Sequence, residues 1–283
     1  MINAFQDLGC SVNAFWFRDI VAYIGYDRPR FFVRGVDVVE SFSAVVVRPF
    51  GRVSLEQAIF RIDILYAFQE LGLPVFNRPS AIEKCVDKFR SLYTLKVHGV
   101  PVPKTVATER CSLALSSLAM LGSRDVVVKP MFGSRGHGST KVRVRDKDVL
   151  WEIVRALTFT RHVAYLQEFL PHGGEDIRAF VLGDRVLAAM YRRAPQGEWK
   201  TNIARGGRGI RIEKLDPEVE DIAIKAAKIL ECDIAGVDLV YLDGRVYVLE
   251  VNSQPGWRGL QEVHPEINIA KEIAKYVIER ARR

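Results

Sequence analysis

Asp238, Glu250 and Asn252 are the residues of this 283-residue chain whose types and spacing speak most directly of chemistry. Two apolar, β-rich runs, Ile234–Leu242 and Val246–Val251, flank Asp243-Gly244, a strong hairpin signal. Alternation puts Val237, Leu239 and Tyr241 on one face of the first strand, and Tyr247, Leu249 and Val251 on one face of the second. For both apolar sets to lie on the same side, Val237 faces Val251, Leu239 faces Leu249 and Tyr241 faces Tyr247. That register requires an odd number of loop residues and excludes a two-residue Asp-Gly turn, because a slip of one residue swaps the faces. It also sets Asp238 opposite Glu250, with Asn252 two residues further along the same face. Two facing carboxylates repel, and neither has a cationic neighbour in sequence. Hard oxygen ligands on one face call for a cation, and Mg2+ shared between carboxylates and the phosphates of a ligand is the economical answer. A solvated trio at a sheet edge is the alternative reading.

Two basic clusters accompany this trio. The run Val126-Val127-Val128-Lys129-Pro130 leads into Gly133, Gly136 and Gly138. Three close glycines suit a loop whose backbone N–H groups close over phosphates, with Lys129 as a point charge. No Gly-Lys-Ser/Thr follows and no helix opens directly behind the loop, so it is neither a Walker loop nor a dinucleotide fingerprint. An ordinary hairpin loop is the alternative. Further on, Arg192, Arg193, Lys200, Asn202, Arg205 and Arg208 surround Gly206-Gly207. This is the composition of an anion clamp, since a guanidinium grips carboxylate or phosphate bidentately. A solvated loop and a nucleic-acid patch remain as alternatives. The five histidines show no ligand spacing, and no Ser-His-Asp or Cys-His order stands out.

The elements that must position these groups alternate in type. Met1–Leu8 reads as a helix, Val12–Phe17 and Ala44–Val47 as strands, and Leu55–Leu71 as a helix ended by Gly72. Pro74–Phe76 resumes as a strand. Ser80 caps a second long helix through Lys96, stopped by His98-Gly99 and Pro101. Such alternation argues for a small open α/β layer. From Val102 to Gln167 strands and helices mix, with Asp125–Lys129 a buried-type strand, Lys141–Val144 a strand and Asp148–Leu157 a helix. The last third is strand-dense: Ala164–Glu168, Ile177–Leu182, Val186–Tyr191, Ile210–Ile212 and the hairpin. Helices at Pro217–Glu231 and Glu266–Arg282 complete it.

Composition narrows the class. Hydrophobic residues make 48% of the chain and charged residues 27%, which excludes disordered and collagen-like chains. No run approaches the roughly 18 apolar residues of a membrane span, and the acidic, Lys-free N-terminus is no signal peptide. The expectation is a soluble, cytoplasmic protein with no membrane partner. Its net charge of +7 carries no block of five or six basic residues, which disfavours nucleic acid against small acidic ligands. Cys10, Cys85, Cys111 and Cys232 are widely spaced without a Cys-x-x-Cys pair, the usage of a reducing compartment.

In this order the clusters resemble the ATP-grasp superfamily, and within it the RimK-like alpha-L-glutamate ligases. The match runs through Asp87-Lys88-Phe89-Arg90-Ser91, Val127-Val128-Lys129-Pro130, Gln167-Glu168-Phe169-Leu170, Asp176-Ile177-Arg178, Thr201-Asn202, Arg205-Gly206-Gly207, Ala235-Gly236-Val237-Asp238 and Glu250-Val251-Asn252. The resemblance implies a mixed α/β and α+β chain: an N-terminal α/β (pre-ATP-grasp) layer at 1–86, a central ATP-grasp lobe at 87–167 and a C-terminal lobe at 168–283. It implies that Lys88 and Lys129 meet the nucleotide phosphates and that the Glu168–Leu170 backbone recognises adenine. Asp176 would meet the ribose, and Lys200, Thr201 and Asn202 would lie near the phosphates. Gln167 and Arg178 are grouped with these nucleotide-binding residues. Asp238, Glu250 and Asn252 would ligate Mg2+, two ions in number and replaceable by Mn2+. Arg192, Arg205 and Arg208 would act in catalysis on the acceptor carboxylate and its phosphorylated form. The implied reaction joins L-glutamate to an acidic acceptor through an acylphosphate.

One departure touches the acceptor side: the first strand usual in the family is missing, so either the start lies upstream or the N-terminal layer is trimmed. Ser253–Gly259 would shape the acceptor pocket, and its Pro255-Gly256 pair favours a coenzyme or a protein C-terminus over the carrier-protein acceptor of lysine- or arginine-pathway ligases. A non-catalytic ATP-responsive binding protein is the remaining alternative, and homo-oligomerisation is left open.

Overall fold

Local capping and glycine chemistry set the ends of several helices. The computed structural model describes residues 1–51, 53–133 and 138–282. It opens with α1 (Ile2–Gln6), β1 (Ile20–Tyr23), β2 (Arg30–Val33), β3 (Val36–Asp37), α2 (Val38–Ser41) and β4 (Val45–Val46). In α3 (Leu55–Glu70), Ser54 and Gln57 form a capping box, and Gly72 (φ 86°) lies just beyond its end. Then come β5 (Val75–Phe76), α4 (Pro79–Val86) and α5 (Lys88–Val97). The single helix expected from Ser80 to Lys96 is thus two. Asp87 leaves helical geometry (φ −93°, ψ 103°), accepts a bond from the Arg90 N–H as the cap of α5, and bridges to Phe132. The break places Lys88 at the first position of a helix.

β1, β2 and β3 form a small antiparallel sheet, while β4 and β5 pair in parallel. The strand expected over Val12–Phe17 is absent, because that segment has no pairing partner. Phe15 and Phe17 instead pack as plugs against Phe42 and Phe50.

The middle of the chain supplies β6 (Thr105–Thr108), α6 (Cys111–Ser116), α7 (Leu118–Leu121), β7 (Asp125–Lys129), β8 (Thr140–Arg143), α8 (Lys147–Phe159) and β9 (Ala164–Glu168). The four strands form an antiparallel sheet in the order β6-β9-β7-β8. Val126, Val128 and Leu166 of this sheet bury Leu150 and Val154 of α8. The glycine loop expected to close over phosphates falls largely on residues 134–137, which lie outside the described residues.

The last part adds β10 (Glu175–Leu182), β11 (Arg185–Arg193), β12 (Arg208–Arg211), α9 (Pro217–Ile229), β13 (Ile234–Leu242), β14 (Arg245–Asn252), α10 (Arg258–Val263) and α11 (Ile269–Ala281). Its five-stranded antiparallel sheet runs β12-β11-β10-β13-β14. Alternation along β10 explains the two faces. Ile177, Ala179 and Val181 point to α9, whose Ala223, Ala226 and Ala227 complete one core. On the opposite face, Phe180 and Leu182 are covered by residues of α10 and α11, including Leu260, Ile269 and Ile273. Asp176 and Arg178 continue that second face toward the other end of the strand. Met1, Phe5, Val46 and Phe76 of the N-terminal elements pack onto the same apolar cluster. Among the described residues, no helix is long and apolar enough to cross a membrane.

Candidate active site

The β13–β14 hairpin brings the acidic residues together by a route the alternation did not anticipate. Asp243 and Gly244 both take positive φ (50° and 74°), and Leu242 pairs with Arg245, so the turn has two residues after all. Pairing continues from this turn to Leu239–Val248 and then shifts, so that Asp238 faces Glu250 and Leu249 is the extra residue of a β-bulge. The turn sets the register at one end, and the bulge resets it at the other. Val246 and Val248, rather than Tyr247 and Leu249, therefore share the buried face with Val251. The Asp238–Glu250 pairing itself is as expected, and Asn252 stands opposite Gly236 on the same face.

A buried ion network surrounds Asp238, contrary to the absence of cations near it in sequence. Arg178 stands opposite Asp238 across β10–β13, with Nε 2.7 Å from Oδ1 and Nη2 donating to Oδ2 at 3.2 Å. Arg192, only 3% exposed, donates to both oxygens of Asp176 at 2.7 and 2.6 Å and lies 3.1 Å from Asp238 Oδ1. Thr201 Oγ1 donates to Asp176 Oδ2 at 2.6 Å. Burial pushes the Asp238 carboxyl up, Arg178 and Arg192 oppose that, and Asp176 and Glu250 reinforce it. Burial pulls Arg192 down, but Asp238 and Asp176 outweigh it and hold the guanidinium above its ordinary value. Gly236 is needed here: a Cβ would stand 2.1 Å from Arg178 Nη1. Asn77 fastens the hairpin from outside. Its Nδ2 donates to the Ile234 and Ser253 carbonyls at 2.7 and 2.5 Å, and its Oδ1 accepts from the Ile234 N–H at 2.8 Å.

The two lysines arrive from the central elements. Lys88 Nζ donates to the Gly133 carbonyl at 2.7 Å and lies 3.8 Å from Glu250 Oε1. Lys129, at the end of β7, donates to Gln167 Oε1 at 2.5 Å, and Gln167 Nε2 donates to Thr105 Oγ1 at 3.2 Å. Gln167, 2% exposed, therefore holds the lysine rather than presenting a free amide. Burial pushes Lys129 down to about 8 although Glu250 and Asp238 pull it up, and Lys88 adds to the depression. At the end of β9, the N–H groups of Glu168 and Phe169 donate to the carbonyls of Lys104 and Asp125, at 2.9 and 3.0 Å. The N–H of Leu170 has no partner among the described residues, so that amide can meet a ligand.

Beside this segment a cavity of about 410 Å3 is lined by Ser139, Thr140, Lys141, Glu198, Trp199, Lys200 and Arg205. Phe169 packs edge-on to Trp199 (5.8 Å), with Lys141 Nζ 4.5 Å from the Phe169 ring centre. Arg205 is exposed and Asn202 partly buried in the β11–β12 connection, and Arg208 is exposed at the start of β12, whereas Arg192 is buried in the network beneath. The three arginines grouped by sequence thus occupy two different environments. Asp176, expected at the ribose, has both of its oxygens accepting from protein donors.

The residues present suit a hard cation. Asp238 Oδ1 is buried without a directed hydrogen bond, its arginine contacts notwithstanding. Asn252 donates its Nδ2 to the Gly236 carbonyl at 3.3 Å, which leaves its amide oxygen as the group for a ligand. Among the described residues, no three His, Cys, Asp or Glu side chains cluster closely enough for a metal. An ion here would be held by Asp238, Glu250, Asn252 and the ligand's own phosphates, the Mg2+ pattern. Sequence reasoning missed Asn77 and Thr105. A polar residue directly after an apolar strand, as in Phe76-Asn77, was the only available signal for the first.

Comparison with known proteins identifies the family. The family model of the RimK-like ATP-grasp domain matches residues 85–277. The tetrahydromethanopterin:alpha-L-glutamate ligase of Methanosarcina acetivorans is 33% identical over 274 residues, covering 87% of this chain and 83% of that one. A probable alpha-L-glutamate ligase of Legionella pneumophila is 31% identical over 260 residues, covering 92% and 83%. The structure of the ATP-grasp ligase PsnB with a minimal precursor superposes with a TM-score of 0.75 at 22% identity, covering 98% of this chain and 93% of that one.

Proposed function

The chain belongs to the RimK-like ATP-grasp family, and from that membership we propose that it joins L-glutamate to the carboxylate of an acidic acceptor with cleavage of ATP to ADP and phosphate. A carboxylate is a poor acyl donor because its leaving group would be oxide. Its oxygen first takes the γ-phosphoryl group, which releases ADP. The glutamate nitrogen then attacks the acyl carbon, the C–O bond to phosphate breaks, and the amine gives up its proton as the amide forms.

In this reading the nucleotide lies between the four- and five-stranded sheets, with adenine at the Leu170 N–H and the triphosphate toward Lys88 and Lys129. The enzyme's contribution is position and charge. Gln167 aims Lys129, while Asp176, Thr201 and Arg192 hold Asp238 in place. Mg2+, when bound by Asp238, Glu250 and Asn252, supplies neutralisation of phosphoryl charge; two ions, replaceable by Mn2+, complete the proposal. Lys200 and Asn202 lie toward the phosphates, and Arg205 and Arg208 take the acceptor carboxylate and its phosphorylated form. The three-part division at 1–86, 87–167 and 168–283 and a cytoplasmic setting belong to the same reading.

The observation that carries it is the row in which Lys88 of α5 lies 3.8 Å from Glu250, Glu250 pairs with Asp238 across the hairpin, and Arg178 lies 2.7 Å from Asp238. The name of the Methanosarcina relative gives its acceptor as tetrahydromethanopterin. For this chain the acceptor class is an acidic coenzyme or an acidic protein C-terminus. The test is ADP release with ATP, Mg2+ and L-glutamate against a panel of both, with products read by mass spectrometry. An acceptor heavier by one or more glutamyl units supports the proposal. ATP binding without ADP release on any acceptor refutes it.

A further inference from the structure

A second cavity, of about 490 Å3, opens beside the Ser253–Arg258 segment and is lined by Arg48, Gly256, Trp257, Arg258, Gln261 and Glu262. Arg48 comes from the N-terminal elements, two residues beyond β4 and at the carboxyl end of a parallel pair, where open α/β sheets present their ligand-binding groups. Its guanidinium lies 4.5 Å from the centre of the Trp257 ring, and its Nη1 approaches the Pro255 carbonyl at 3.4 Å. Trp257 is itself seated edge-on against the fully buried Phe180, at 6.4 Å. The segment is anchored again where Asn77 holds the Ser253 carbonyl. The arginine is therefore stacked on a rigid platform before any ligand arrives.

The charge of Arg48 is unanswered. Among the described residues no carboxylate pairs with it, whereas the neighbouring Arg258 is satisfied by Glu262 at 3.1 Å. Gly256 has open space where a Cβ would stand, and the buried Nε2 of Gln254, in the same segment, has no hydrogen-bond partner. The platform follows Asn252 by five residues, at most about 18 Å of chain from the metal-type ligands. A stacked guanidinium with a free edge, an indole wall and an unpaired amide donor nearby suit a carboxylate carried on a short apolar stem.

We propose that the Arg48–Trp257 platform is a subsite for a second, non-reacting carboxylate of the acceptor, so that the enzyme selects acceptors ending in a dicarboxylic unit. Its role in ligation rests on the function proposed above, whereas the subsite itself rests on the cavity. Binding separates the two. Calorimetry with γ-L-glutamyl-L-glutamate, in the presence of Mg2+ and a non-hydrolysable ATP analogue, is compared for the wild type, Arg48→Ala and Arg48→Lys. The expected result is about tenfold or greater weakening in Arg48→Ala, with partial recovery in Arg48→Lys because an ammonium cannot offer the planar fork. Affinity for the ATP analogue and the unfolding temperature stay as in the wild type. The amide-capped dipeptide, which lacks the free carboxylates, binds all three proteins equally weakly. Equal binding of the uncapped dipeptide by wild type and Arg48→Ala overturns the subsite, as does absence of wild-type binding at millimolar concentration. Failure of ADP release with every acceptor, while this binding difference persists, overturns the ligase reading and leaves the subsite standing.

Discussion

Replacing Arg192 by Met decides whether this arginine is part of an acceptor clamp or a strut beneath Asp238. The structure gives it two charge-assisted hydrogen bonds to Asp176, at 2.7 and 2.6 Å, and a 3.1 Å contact with Asp238. With an effective dielectric of about 20, one such contact corresponds to roughly 5 kcal/mol of gross attraction, much of it offset by desolvation. After the substitution Asp176 keeps, among the described residues, only Thr201 as a side-chain partner, and Asp238 keeps Arg178. Removing one partner of a buried pair leaves an uncompensated charge and costs about 3–5 kcal/mol. At about 2–4 °C per kcal/mol for chains approaching this size, the unfolding midpoint falls by roughly 6–20 °C. Thermal and denaturant unfolding measure this directly. Adding Asp176→Asn recovers part of the loss, because the orphaned charge leaves as well.

The same substitution has a functional signature. Asp238 is already pushed up by burial, with Arg192 among the groups opposing that rise. Without Arg192 its carboxyl titrates at higher pH. If the ionised form is required, the acid limb of the activity profile moves upward in pH. A stability loss below about 1 kcal/mol, or a double variant as unstable as the sum of the singles, refutes the strut. An unchanged unfolding midpoint with a raised acceptor KM alone restores Arg192 to the clamp.

Four further outcomes are expected. Glu250→Gln abolishes ADP formation yet keeps the unfolding midpoint within a few degrees of the wild type, since it removes both a ligand charge and the repulsion across Asp238–Glu250; retained turnover argues against the metal site. Because burial pushes Lys129 down to about 8, ATP must select its protonated form. ATP affinity then falls as pH rises through 8, while the apo protein gains stability between pH 8 and the unfolded lysine value, where the unfolded chain binds more protons. Lys129→Met flattens both trends, and proton uptake on ATP binding near pH 8 checks the sign. Gly236→Ala forces Arg178 off Asp238 and costs about 1–3 kcal/mol in denaturant unfolding; a neutral effect shows that the guanidinium has another resting place. Cys85 and Cys232 are buried with their sulfurs 3.5 Å apart, and the hydrogen bond to Cys85 together with burial pushes the Cys232 thiol up. A thiol reagent therefore labels Cys10 and Cys111 in the native protein and all four cysteines after unfolding.

The types and order of the site residues were legible because they ride on short, strongly patterned elements. Asp125–Lys129 and Ala164–Glu168 are strands at those residues, and the alternation along β13 put Asp238 opposite Glu250. That pairing was right for an incomplete reason. Inferred from an odd loop, it arises from a two-residue turn followed by a bulge at Leu249, whose parity is the same. Alternation reports the parity of a register, not the place where an extra residue sits. The helix from Ser80 to Lys96 failed similarly. Both halves are helical, but the bridge from Asp87 to Phe132 is a contact 45 residues away in sequence that no local pattern records.

The sequence by itself determined which groups are available: two lysines, a trio of oxygen ligands, a basic glycine-containing segment, and strands whose apolar faces turn those groups to one side. Only the tertiary structure decided how they divide the work. Arg192, Arg205 and Arg208 look alike in a string of letters, yet the first is buried against Asp176 and Asp238 and the others reach the surface. Asp176 looks like a free ligand until Arg192 and Thr201 are seen to occupy it. Arg48, 209 residues before Trp257, becomes a feature of the site only when the N-terminal elements pack beside the loop after β14. The physical reason is that charge acts through space. Burial and partners across the fold set whether a given arginine is a strut, a clamp or a platform, and neither is encoded in the residues beside it.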